Sequence, residues 1–221
     1  MLARRILRYK KTIAAIWIVL ILFPNPTVIL SDIYRFANIP TQPTEDVRQI
    51  AKSLPANGTT IERYVDDHVT YAYDFQAYGA AWVIPTPNEV LKSSCGDCKS
   101  RAILLASLLE AKGIRHSVEV SPVHFWVDYN GKPRTNFAEQ YETAEAAIIY
   151  NGHLKVPEKT AVLLYLNTYK NVFWTSMPLI RKILLISGLL MITQYGRFQG
   201  TKRRCWKAMM LKWKLLRQLC K

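Results

Sequence analysis

The stretch Cys95-Gly96-Asp97-Cys98-Lys99-Ser100-Arg101-Ala102-Ile103-Leu104-Leu105-Ala106-Ser107-Leu108-Leu109-Glu110-Ala111-Lys112-Gly113-Ile114 decides how the chain is read. Asp97 is a residue type that caps helices, because its carboxylate accepts from the free N–H groups of the first turn. Gly113 is placed to end the helix in the left-handed conformation. Between them, Ala102–Leu109 is apolar almost all round, so a helix over 97–112 must be buried on most sides. Cys98 then opens that helix. The unpaired N–H groups and the helix dipole favour thiolate over thiol there, and Lys99 and Arg101 add positive potential. The same N–H groups can hold an oxyanion, and Gly96 leaves room for a substrate backbone to come close.

After Gly113 the period changes from helix to strand. Residues 117–120, 124–129 and 134–137 alternate as strands, and Asn130-Gly131 is a hairpin turn. Before the central helix, residues 59–72 and 88–92 are predicted helical, with a short helix at 44–54 and an aromatic loop over 73–82. Residues 139–150 return to a helical pattern. Helices, then a buried helix, then antiparallel strands make an α+β domain.

A reactive thiol needs a base. His124 opens a strand on which His124, Trp126 and Asp128 share a face. A sheet packed on the central helix would bring its imidazole to Cys98. His68 sits on the apolar side of a predicted helix and is expected in the core, whereas His116 and His153 are expected in loops. A third group should orient the imidazole. Asp128 lies about 13 Å along the same strand at 3.3 Å per residue and reads as solvated. Asn136, across the predicted hairpin, faces the correct way only with a three-residue turn or a bulge; Glu139 is the fallback.

These residues carry a resemblance. Trp82-Val83-Ile84-Pro85-Thr86-Pro87-Asn88-Glu89-Val90-Leu91, the Cys95–Ile114 stretch and His124-Phe125-Trp126-Val127-Asp128 together are similar to the transglutaminase-like cysteine protease superfamily of bacteria and archaea. The resemblance spans roughly residues 60–140. It implies a papain-like core, with Cys98 as nucleophile and His124 as base. It also implies acyl transfer from a protein or peptide amide, with no cofactor and no metal. The family's third residue is usually an aspartate in a tryptophan-containing segment, where this chain has Arg134-Thr135-Asn136-Phe137. Asn136 could serve as in papain-like enzymes.

Two other readings of the same cysteines stand beside it. Cys95-Gly96-Asp97-Cys98 is a Cys-x-x-Cys at a helix start, as in thiol–disulfide oxidoreductases, although no strand is evident before it. Cys95, Cys98, His116 and His124 could form a Cys₂His₂ zinc site, but not at a common finger spacing. A catalytically silent, membrane-tethered module that binds peptide or cell-envelope material is the non-enzymatic alternative.

The chain's ends differ from its middle. All 16 acidic residues lie between Asp32 and Glu158, within a net charge of +14. The flanks are therefore purely basic, and they adjoin apolar runs, which suits a membrane rather than nucleic acid. Residues 1–11 carry five bases and precede an apolar stretch running, across Pro24-Asn25-Pro26, from Thr12 to Leu30. Such a length is close to the roughly 20 residues a spanning helix needs, and basic residues before it would stay cytoplasmic. A cleaved signal peptide is the alternative, but no small-x-small site follows Phe23. A weaker apolar segment around 172–195 is interrupted by Arg181 and Lys182. Residues 202–221 form a basic amphipathic pattern suited to anionic lipid. The expected layout is a basic N-terminus and signal anchor over 1–30, a linker over 31–58 and a transglutaminase-like domain over 59–170. A second spanning or interfacial segment follows over 171–196, then an amphipathic tail over 197–221. The domain would face the extracytoplasmic side, where Asn57-Gly58-Thr59 is a glycosylation pattern.

Overall fold

The computed structural model describes residues 9–121, 123–133, 149–150, 153–154, 169 and 173–194. The chain divides into two compact units, one of residues 25–177 and the other made from both chain ends, up to Pro24 and from Pro178.

The larger unit is α+β. Its helices are α2 (Thr27–Ala37), α3 (Glu45–Ser53), α4 (Gly58–His68), α5 (Asp74–Ala77), α6 (Pro87–Ser93) and α7 (Cys98–Ala111). At its centre is α7. Ten of its 14 residues are buried, among them Ile103, Leu104, Leu108 and Leu109 at 0 % exposure. Such burial contributes about 1.5–3 kcal/mol per large apolar side chain. Helices α3, α4 and α6 pack on α7, as do strands β3 (His116–Val120) and β4 (Phe125–Tyr129). The core gathers Val47, Ile61, Val65 and Val90 from the helices with Val120, Phe125 and Val127 from the strands. Gly113 takes φ +66° just after α7, as a C′ glycine should.

Strands β3 and β4 pair antiparallel over their whole length, from His116 opposite Tyr129 to Val120 opposite Phe125. On the other edge of β3, Val120 pairs with Ile149 of β5 (Ile149–Tyr150), which turns back onto β6 (His153–Leu154). Two further strands, β1 (Thr70–Tyr71) and β2 (Cys95–Gly96), form a separate parallel pair.

Several expectations change. Residues 31–58 hold more than a linker with one short helix: the expected helix at 44–54 forms as α3, with Val47 and Ala51 in the core, and α2 runs through the start of the segment. The expected boundary at residue 30 falls inside α2, whose Asp32 is buried and accepts from the Ile84 N–H at 2.9 Å. Ile149 and Tyr150 are strand, not helix, because Val120 offers them an edge to pair with. His116 and His153 begin strands rather than lying in loops. His68 is exposed, stacked on Tyr64 at 3.9 Å, while Ile61, Val65 and Val69 alone keep the buried face of that segment. The expected strand at 134–137 and most of the expected 139–150 helix lie outside the described residues.

In the smaller unit, α1 (Lys10–Leu22) is joined by a helix over 179–194. Among the described residues no single helix is long and apolar enough to cross a membrane; α1 and α2 pass that test only together. Their break falls at Phe23–Pro26, where Pro24 and Pro26 each lack a backbone N–H donor.

Candidate functional site

Asp97 is the N-cap of α7 and accepts from the N–H groups of Lys99 (3.0 Å) and Ser100 (3.4 Å). That cap fixes Cys98 at the first helical position. The residue is half-buried as a whole, and its sulfur lies out of water and receives the backbone N–H of Phe125, the first residue of β4. His124 immediately precedes Phe125. Its backbone is clamped to Ser121, whose N–H donates to the His124 carbonyl at 2.8 Å and whose hydroxyl accepts from the His124 N–H at 3.0 Å. The imidazole stacks on Trp126, 5.9 Å between centroids, on the face that alternation predicts. Cys98 and His124 line one cavity of about 430 Å³, with Glu62, Tyr71, Arg101 and Trp126 also on its wall. Asp128 is exposed. Asn136 and Glu139 lie outside the described residues.

A second cavity, of about 90 Å³, shares Cys98 and Phe125 with the first as wall residues. Its lining includes Asp74, Asp97, Lys99, Trp82 and Phe173. The buried Lys99 ammonium donates to Asp74 at 2.9 Å and also to Asp97. Sequence reasoning missed this group. The signal for it was there: a lysine in the first turn of a helix buried on most sides must find an anion or leave a charge unpaired.

This pairing reverses the expected electrostatics. Lys99 is neutralised by two carboxylates rather than by the thiol. Arg101 turns away to the Val69 carbonyl (2.7 Å) and Asp66 (2.9 Å). The Lys99 and Ser100 N–H groups of the first turn are occupied by Asp97. Burial, and then the Asp97 anion, push the Cys98 thiol up to about 12, against the smaller pulls of Lys99 and the Phe125 N–H. The thiol is therefore neutral at rest, not the expected thiolate. Gly96 also serves another purpose than a substrate approach: a Cβ there would meet the Ser100 side chain at 2.3 Å, so the glycine lets α7 close onto β2.

Burial likewise raises Asp74, with Lys99 opposing and Asp97 reinforcing. Its Oδ2 accepts from the Val83 N–H (3.1 Å) as well as from Lys99, while Oδ1 has no hydrogen-bond partner among the described residues. Tyr71, opposite Gly96 in the β1–β2 register, lies with its ring under the Arg101 guanidinium at 5.6 Å. Burial, then Cys98 and Asp97, raise its phenol, which stays a hydrogen-bond donor on the wall of the larger cavity.

Among the described residues no three His, Cys, Asp or Glu side chains gather as a metal site, and His116 bonds the Ile114 carbonyl at 2.9 Å instead. Cys95 and Cys98 are both free thiols. Among the described residues the strand at the motif, β2, contains Cys95 itself rather than preceding it, and is two residues long. Asn57, in the glycosylation pattern, caps α4 by accepting from the Thr60 N–H at 3.0 Å. Comparisons with protein-family models, curated proteins and solved structures gave no match.

Proposed function

We propose that the chain is a membrane-tethered, transglutaminase-like cysteine acyl-transfer enzyme, acting on a protein or peptide amide, with its domain on the extracytoplasmic side. One observation carries the reading: the sulfur of Cys98 is held against the backbone of the residue next to His124, and both side chains open into the same cavity. Because the thiol is neutral, His124 must act as a general base rather than as half of a standing ion pair. It takes the thiol proton as sulfur attacks the amide carbonyl. It then returns that proton to the nitrogen as the C–N bond breaks, which leaves a thioester and a free amine. Water gives a carboxylic acid and regenerates the thiol; a second amine gives a new amide. A papain-like arrangement, with Asn136 orienting the ring, belongs to this proposal.

The raised thiol favours a second reading, a peptide-binding module without turnover. An amide-mimicking electrophile distinguishes them. In the enzyme, Cys98 is labelled much faster than Cys95, and His124→Ala abolishes the difference. Slow labelling of Cys98 that ignores His124→Ala, read by peptide mass spectrometry, would leave the binding module. The tether rests on the purely basic flanks beside apolar helices at both ends.

A further inference from the structure

We infer that the two chain ends form one antiparallel helix pair embedded in an anionic phospholipid bilayer; this deepens the membrane reading above and rests on it. The contacts set the direction. Trp17 Nε1 donates to the Leu184 carbonyl at 3.2 Å, and Arg181 donates to the Ile21 carbonyl at 3.5 Å. As numbers rise in α1 they fall in its partner, so the helices run antiparallel.

The seam between them is narrow and periodic. On α1 the half-buried positions include Lys10, Ala14, Trp17, Trp17's neighbour Ile18 and Ile21; on the partner they include 181, 185, 189 and 192, around the buried Gly188. Both sets follow the helical repeat. Gly188 makes the contact possible: a Cβ there would lie 2.2 Å from the Trp17 indole nitrogen. The missing side chain lets a polar N–H reach a helix carbonyl, the kind of pairing hydrocarbon demands of every polar group. Small residues at such seams let helices approach closely.

Most of the surface outside the seam is apolar and uncovered. Ile13, Ile16, Val19 and Leu20 on one helix, and Leu179, Ile180, Ile183, Ile186, Leu190 and Met191 on the other, are exposed. A pair meant for water would turn polar residues outward. Charge identifies the lipid. Because the helices are antiparallel, the basic segment before Lys10 and the basic segment after Gln194 leave the pair at the same end, with no acid in either. Anionic headgroups attract such clusters by about 1 kcal/mol per base near the surface.

The test uses the full chain with its four cysteines replaced by serine and with Ala14→Cys and Leu189→Cys, expressed into bacterial membranes. Membranes are washed with alkaline carbonate and then oxidised. The expected result is retention in the washed pellet and a disulfide joining the two helices. A second pair, Lys10→Cys with Ile192→Cys, should also close, and Ala14→Cys with Lys182→Cys should not. Adding Gly188→Leu should reduce closure at least fivefold while retention persists. A chain absent from the membrane before washing would overturn both this inference and the tether itself. A chain present but released by carbonate, or retained without either disulfide, would overturn the inference and leave a peripheral or single-helix tether.

Discussion

Cys98 is governed by the residue before it. Asp97 caps the helix and places an anion beside the sulfur, so one side chain both orders the site and reinforces the burial that keeps the thiol protonated. With the thiol near 12, each unit by which pH rises toward that value adds tenfold to the thiolate fraction. Alkylation of Cys98 by a small neutral reagent should therefore climb about tenfold per unit from pH 7 to 10, without a plateau. A rate already level from pH 6 to 9 would mean that a standing ion pair exists. Asp97→Asn keeps a capping oxygen but removes the charge, so labelling at pH 8 should rise. Lys99 behaves differently. Lys99→Met would leave Asp74 and Asp97 buried without their cation, a loss on the order of 3–5 kcal/mol in urea denaturation. The pH sign follows from Asp74: its carboxyl binds a proton more tightly folded than unfolded, so this group's contribution to stability declines as pH rises above its ordinary 3.8. The variant's deficit should be larger at pH 8 than at pH 5. Neither Asp74 nor Asp32 was legible beforehand, since each acts on a residue far along the chain.

Elements with strong local signals were legible. Helix α7 was readable from its cap, its apolar run and Gly113; β3 and β4 were readable from alternation. What escaped was set by partners distant in sequence. Strands β1 and β2 have two residues each, too few for a period, and exist because they pair with one another. Residues 149–150 follow an alanine-rich helical pattern, yet they meet the free edge of β3. Of the candidate site, the placement of Cys98 and His124 on one cavity followed from the elements, whereas the thiol's charge state did not, because Lys99's partners were invisible. At this scale the prediction concerns packing. Leu108→Ala, at a position with 0 % exposure, should lower unfolding stability by about 2–5 kcal/mol. Gly96→Ala should separate α7 from β2 and slow Cys98 labelling in the variant relative to the parent chain, read by mass spectrometry.

Across the whole molecule, charge is segregated by position in the chain. The acids lie in the middle and the flanks carry only bases. Association with vesicles containing anionic lipid should accordingly slow several-fold between 50 and 500 mM salt, since the Debye length shortens from more than 10 Å to a few Å. Chain already inserted should not be released by the same salt, which flotation would check. The apolar ends were readable as helices, but the run expected as one segment over 12–30 is two helices. The proline break ends α1, and α2 contributes its buried Asp32 to the larger unit.

The Trp17–Leu184 contact joins residues 167 positions apart. At about 5–20 residues per second of synthesis, α1 leaves the ribosome roughly 8–33 s before its partner exists. During that interval the Trp17 indole has no Leu184 carbonyl to meet, and everything between the two helices is made first. Closure of the pair thus waits until the residues between the two helices have been made. It leaves the intervening polypeptide as a loop anchored at both of its roots, so a single proteolytic nick would not set it adrift.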